Sequence, residues 1–336
     1  MKAAPVLPAV NKAGGPAAVP PLYSQDLLSV EEQLKQLLNP NQRAAVLGAR
    51  LALSGGKRLR PRLCLLAYRY SSGNSTPTPG VYKLATAIEL LHLATLLHDD
   101  VIDNATHRRS EPSVNIIHGN KTAVLLGDFF FSSFLEAAAG SGSDILSLLA
   151  NTISNMVDGE LSQAHHRLDL SLTENQYLAI IERKTAALIA AACEVGAKVA
   201  RANQSTINSF RRFGHALGCA FQIQDDILDY IGSPNRMGKA LYSDLKEGII
   251  TLPLIYALEH SVRKVHLSQL LLHTELTAKA IGTIVDEVKK TGGLDYARQQ
   301  AATYLNVAQE ELMTLAPSPP KRELEWLLLT LTKREK

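Results

Sequence analysis

An all-α fold, a single-domain bundle of antiparallel helices, is what this 336-residue chain predicts. Three observations carry that prediction. Apolar residues recur at three- and four-residue intervals over most of the chain. Strand-like alternation is nearly absent. The chain is 46% hydrophobic but only 5% aromatic, so its core is built from Leu and Ala, medium and small side chains that pack helices closely. Residues 1–22, rich in Ala, Pro and Gly, predict a flexible tail, in which Pro5, Pro8, Pro16, Pro20 and Pro21 break any run able to serve as a signal peptide. The segment 26–38 sets Leu among Glu, Gln and Lys at helical spacing. An apolar helix follows Pro61, and further helices are predicted over 81–103, 120–139, 143–166, 174–201, 205–231, 249–260 and 274–291. Turn residues cluster at 71–80, 110–113, 140–143 and 232–238. No linker divides the body, so 23–336 reads as one domain.

Composition narrows the function. With 35 basic and 32 acidic residues the net charge is +3, too small to argue for a nucleic-acid partner. No run of about 18 uncharged apolar residues exists, so no transmembrane segment is expected. Cys64, Cys193 and Cys219 sit among apolar or small residues without metal-ligand spacing. They predict buried thiols in a reducing compartment, and with them a cytoplasmic protein.

Two aspartate-rich motifs hold most of the functional information: Asp99-Asp100-Val101-Ile102-Asp103 and Asp225-Asp226-Ile227-Leu228-Asp229. The outer aspartates, four apart, share one helix face, and Asp100 points about 100° away. Like charges at that spacing repel, so stability alone does not account for them. Carboxylate pairs on two facing walls suit Mg²⁺ bridging to substrate phosphates. Arg108 and Arg109 follow the first motif, and arginine favours bidentate contact with phosphate oxygens. Upstream, Gly55-Gly56-Lys57-Arg58-Leu59-Arg60-Pro61 and then Arg62 place four cations ahead of a helix, where Lys57 and Arg60 can converge on one phosphate cluster. His92, two turns before Asp99, shares the aspartates' face. Lys184 opens a run of small residues and reads either as cavity-facing or as surface. His98 and His118 read as structural.

These elements, in order, resemble the trans-isoprenyl diphosphate synthase (polyprenyl synthetase) family. They are G-G-K-R-x-R-P at 55–61, H-D-D-V-x-D at 98–103, R-R at 108–109, G-D at 127–128, G-E-x-x-Q at 159–163, K-T at 184–185, F-Q-x-x-D-D-x-L-D at 221–229, G-K at 238–239 and D-L-x-E-G at 244–248. Each alone is weak, but nine in sequence over roughly 50–260 are specific. Within the family the long-chain bacterial enzymes, especially the catalytic component of heptaprenyl diphosphate synthase, are the strongest resemblance. Two positions depart from the family pattern: Ser110 stands where a glycine is usual, and Ala240-Leu241-Tyr242 replace Pro-x-Gly.

The resemblance implies an isoprenoid-synthase bundle around a central cavity and a prenyltransferase that joins isopentenyl diphosphate to an allylic diphosphate. It implies Mg²⁺ on Asp99, Asp103 and Asp225, with Asp100 and Asp229 supporting. It assigns Arg108, Lys184, Thr185, Gln222 and Lys239 to the allylic diphosphate, and Lys57, Arg60, His92 and Arg109 to isopentenyl diphosphate. Asp99, Asp103, Asp225, Lys184 and Arg108 form its catalytic set. Ala94 and Thr95, about one turn before Asp99, occupy the positions where bulky aromatics stop chain growth in the family. Their small size implies a long product, of hexaprenyl to octaprenyl type, for quinone side chains. The alternatives are a shorter-chain geranylgeranyl synthase, a class I terpene cyclase, and a non-catalytic subunit of a heteromeric synthase. A cyclase would carry an N/D-x-x-S/T-x-x-x-E second site, and a non-catalytic subunit would lack aspartates of one or both motifs. Phe129, Phe130, Phe131 and Phe134 sit in a stretch that the family uses for dimerisation, so a homodimer, or a heterodimer with a small regulatory subunit, is expected.

Overall fold

The computed structural model describes residues 23–37, 47, 57–108, 111–232, 241–273 and 276–332. The expected tail at 1–22 lies outside them. Its elements are α1 (Ser24–Leu37), α2 (Leu59–Ser71), α3 (Pro79–Ile102), the two-residue strands β1 (His107–Arg108) and β2 (Glu111–Pro112), α4 (Val114–His118), α5 (Asn120–Ala138), α6 (Ser143–His165) and α7 (Glu174–Ile181). A π-helical turn over Glu182–Ala186 leads into α8 (Ala187–Val199), then α9 (Gln204–Ile231), α10 (Ser243–Glu247), α11 (Leu252–His260), α12 (Lys264–Leu271), α13 (Ala278–Lys290), α14 (Gly293–Met313) and α15 (Pro319–Thr332). β1 and β2 pair antiparallel as the one sheet among the described residues. The fold is all-α.

Local chemistry explains the helix starts. Pro79 occupies the first turn of α3, where its missing N–H costs nothing. Thr173 and Gln176 form a reciprocal capping box at α7. Asn203 accepts from the Thr206 N–H at 2.9 Å to cap α9. Five helices lie beyond the segments that periodicity singled out: the one-turn α4 and α10, and α12, α14 and α15. In α14 the buried face is Leu294, Ala297, Ala301, Leu305, Ala308 and Leu312, a three-and-four ladder built half from alanine. Its weak apolar contrast hides a helix that packs along α9.

The core falls into clusters that α3 and α9 organise. One surrounds α3, with Ile88, Leu91, Leu93, Leu97, Phe130 and Phe134. Another joins Ile223, Ile227 and Tyr230 of α9 to α11 and α13. A third joins Phe210, Phe213 and Leu217 to α2, α14 and α15. α3 alone among the described helices is long and apolar enough to cross a membrane, but most of that stretch is buried as the central helix of this bundle. Two of the four phenylalanines on α5, Phe130 and Phe134, are core residues, whereas Phe129 and Phe131 are half-buried.

The basic run before α2 divides by role. Arg58, in left-handed backbone geometry with φ 43°, is buried and pairs with Glu31 at 2.5 Å and Glu89 at 2.9 Å. Arg62 binds Glu323 of α15 at 2.6 Å and lies over the Trp326 ring. These two arginines tie α1, α2, α3 and α15 together. Lys57 and Arg60 do not enter those pairs.

Candidate active site

Both aspartate sets lie at the C-terminal ends of their helices. Asp99 and Asp100 are in the last turn of α3, Asp103 is its C-cap, and Asp225, Asp226 and Asp229 lie in the last two turns of α9. A helix C-terminus carries partial negative charge, so carboxylates gathered there oppose the dipole. Burial pushes the Asp99 carboxyl up to about 7, and Glu160 and Asp103 push the same way against Lys184 and Arg108. Oxygen donors held so against their own electrostatics fit a divalent cation.

The two motifs meet at a cavity of about 810 Å³. Asp99, Asp103 and Asp225 line it, together with Glu160, Arg60, Arg108, Lys184, His92, Thr185 and Gln222. Nine residues expected from the two substrate sets and the catalytic set therefore share one space, and Glu160 joins them. Lys57 is exposed and is not among the lining residues. Arg109 and Lys239 lie outside the described residues, as do Gly55, Gly56, Ser110 and Ala240.

Two aspartates expected beside the metal are engaged elsewhere in this structure. Asp100 is buried and accepts from Arg108 Nε at 2.9 Å and from a second guanidinium nitrogen. Asp229 is fully buried and accepts from Ser243 N at 3.1 Å, Ser243 Oγ at 2.8 Å and Asp244 N at 3.2 Å, so it caps α10. Neither lines the cavity. Their work is to aim others: Asp100 orients Arg108, and Asp229 holds α10, whose Ser243, Lys246 and Glu247 reach the cavity wall. Ala94 packs in the core, while Thr95, one residue on, lines the cavity.

Lys184 is placed by an irregularity in the backbone. The π-turn Glu182–Ala186 rotates Lys184 and Thr185 inward, and such turns are common at functional sites. Gly159 of α6 makes room for it, because a Cβ there would lie 2.6 Å from Lys184 N. Glu160 then meets Lys184 Nζ at 2.7 Å. Burial alone would lower the Lys184 pKa, but Glu160 and Asp99 override it and keep the ammonium charged. Gly159→Ala forces the turn to shift, and a misplacement of that order is expected to lower kcat about 10²-fold while circular dichroism stays native; unchanged kcat would show that the turn tolerates the methyl.

A hydrogen-bonded chain runs behind the cavity. Thr185 Oγ1 donates to Gln222 Oε1 at 2.7 Å, Gln222 Nε2 donates to Asp226 Oδ1 at 2.8 Å, and Tyr177 OH donates to Asp226 Oδ2 at 2.5 Å. Burial, then the Asp244 charge, pushes the Asp226 carboxyl up to about 8. The chain fixes the Gln222 amide and so the dipole presented beside Asp225. Sequence reasoning missed Tyr177, which carries no local signal, and Glu160, whose signal was its place in G-E-x-x-Q.

Comparison with known proteins agrees in fold and sequence. The chain is 35% identical over 317 residues to heptaprenyl diphosphate synthase component 2 of Geobacillus stearothermophilus, covering 93% of this chain and 97% of that protein. It is 32% identical over 290 residues to a short chain isoprenyl diphosphate synthase of Methanothermobacter thermautotrophicus, covering 85% and 88%. A polyprenyl synthase from Caulobacter crescentus CB15, solved with calcium and isoprenyl diphosphate, superimposes with a TM-score of 0.88 at 32% identity, covering 93% and 96%. The polyprenyl synthetase sequence model matches residues 45–288, a span that takes in the basic run, both aspartate motifs and the π-turn. By that match the chain belongs to the polyprenyl synthetase family and is a prenyltransferase.

Proposed function

We propose that this chain is a long-chain trans-polyprenyl diphosphate synthase, adding isopentenyl diphosphate units head-to-tail to an allylic diphosphate to reach hexaprenyl- to octaprenyl-type products for quinone side chains. The observation that carries the reading is one cavity with two chemistries. Carboxylates and cations line it together with the apolar Leu91, Leu96, Ile153, Met156 and Leu188 and the small Thr95, and Phe221 of α9 is the one Phe, Tyr or Trp among the described lining residues, with none from α3 or α6.

Asp99, Asp103 and Asp225 are the residues that would hold Mg²⁺, which when bound neutralises charge on the departing diphosphate. Arg108 and Lys184, kept in place by Asp100 and Glu160, grip the allylic diphosphate; Lys239 is assigned there as well. Arg60 and His92, with Lys57 and Arg109, hold isopentenyl diphosphate so that its double bond faces the allylic carbon. Thr185 and Gln222 offer the cationic carbon fixed dipoles and no nucleophile. The apolar lining excludes water that would quench it.

Product length follows from Thr95. Thr95→Phe is expected to shorten the products, read by reversed-phase chromatography after incubation with Mg²⁺, farnesyl diphosphate and labelled isopentenyl diphosphate. Ala94→Phe instead overpacks the core and is expected to cost about 1–3 kcal/mol of stability. An unchanged length distribution in Thr95→Phe would refute the assignment, and a wild-type product no longer than geranylgeranyl diphosphate would favour the shorter-chain reading, to which the 32% identity with a short chain synthase lends weight.

The exposed Leu125 and Leu135 beside half-buried Phe129 and Phe131 on α5 support a dimer through this face. The name "component 2" of the Geobacillus relative makes a small partner subunit the competing assembly. Turnover by the purified chain alone separates the two. The three free, buried cysteines support a cytoplasmic setting.

A further inference from the structure

We infer that Glu182, His215 and Cys219 form a second cation site, specific for a borderline-soft divalent metal of the zinc class and separate from the carboxylate-lined cavity. A Glu182 carboxylate oxygen, a His215 ring nitrogen and Cys219 Sγ all lie within 4.8 Å of one another. His215 Nε2 is 4.0 Å from Glu182 Oε1. None of the three lines the cavity, and the proposed reaction uses none of them.

Rigid elements present the donors. His215 and Cys219, four apart on α9, share one helix face. Glu182 opens the π-turn. Gly218, beside Cys219, sits so close to that turn that a Cβ there would lie 2.5 Å from Ala186 Cα. The separation between the two donor-bearing backbones is therefore set by direct contact, as a built site requires. The cysteines' surroundings in sequence hid this grouping, because its third member comes from a different element.

The donor set selects the metal. Thiolate, imidazole and carboxylate together suit Zn²⁺ or Co²⁺, whereas Mg²⁺ takes oxygen alone. The Glu182 and His215 side chains are 40% and 41% exposed, leaving an entry path and a fourth position open to solvent. Metal–ligand bonds of about 2.0–2.3 Å put tetrahedral donors roughly 3.5 Å apart. The set must contract by about 1 Å on binding, which side-chain rotation at the two exposed members supplies. Cys219 is buried next to Tyr304, and burial holds its thiol protonated in the metal-free protein. Binding exchanges the S–H bond for an S–metal bond and releases the proton to solvent.

The test is a Co²⁺ titration of the full chain in excess Mg²⁺, which under the proposed function would fill the carboxylate-lined cavity, followed by thiolate-to-Co²⁺ charge-transfer absorption in the near ultraviolet. A band saturating at one equivalent is expected. Cys219→Ser should abolish it although Cys64 and Cys193 remain. His215→Ala should weaken binding by more than about tenfold, the loss that removing even an outer-shell partner can cause. Because His215 is half exposed, that variant keeps the test decisive if the serine variant fails to fold. Absence of the band in the wild type, or a band of equal strength and affinity in His215→Ala, would overturn the site.

Discussion

Asp99→Asn is expected to lower kcat/KM for the allylic substrate by at least about 10²–10³-fold, the loss seen when one preorganised electrostatic group is removed. The substitution preserves shape and removes charge. Asp99 sits where burial, with Glu160 and Asp103, outweighs the attraction of Lys184 and Arg108 and disfavours ionisation. The metal-free variant should therefore melt no lower than the wild type, because a crowded, desolvated carboxylate has been replaced by a neutral amide. Activity and stability then move in different directions, as expected of a group kept for function. Steady-state kinetics and thermal melting check both halves. A variant of near-wild-type kcat/KM would remove Asp99 from the chemistry, and a much lower melting temperature would make its role structural.

Arg58→Ala is expected to destabilise the fold by about 3–5 kcal/mol, because it leaves a buried carboxylate without its cation. Arg58 and Glu89 are each only 3% exposed along the side chain, and their 2.9 Å pair joins the start of α2 to the middle of α3. Urea unfolding monitored by circular dichroism reads the cost directly. A loss below about 1 kcal/mol, the range of exposed pairs, would mean that Glu89 finds water or another donor.

The helices that position the cavity were legible because they are long and bury continuous apolar ladders, Leu-rich in α3 and built from Ile, Phe and Ala in α9. The periodic segments at 81–103 and 205–231 correspond to α3 and α9. α14 was not legible, because alanine supplies half of its buried face. The aspartates, Arg108 and Lys184 announced themselves by type and spacing. What they do to one another did not. Nothing in the string D-D-x-x-D says that Asp100 turns to Arg108, or that Asp229 caps the next short helix. Those partitions depend on where α10 and the β1 segment fold back, a tertiary matter. The split of the basic run follows the same rule: Arg58 and Arg62 are recruited by Glu89 and Glu323, distant in sequence, while Arg60 is left to line the cavity. Gly159 was visible as a motif letter, but its reason, the close approach of the Lys184 backbone, appears only in three dimensions.

Under the proposed function the two aspartate sets act together, through divalent metal, on one diphosphate. Calorimetric titration with an unreactive thio-analogue of farnesyl diphosphate tests it most directly, run with and without Mg²⁺ on the wild type, Asp99→Asn and Asp225→Asn. Tight binding is expected only with Mg²⁺ and is lost in both variants. Binding that is indifferent to Mg²⁺, or that survives Asp225→Asn unchanged, would contradict it.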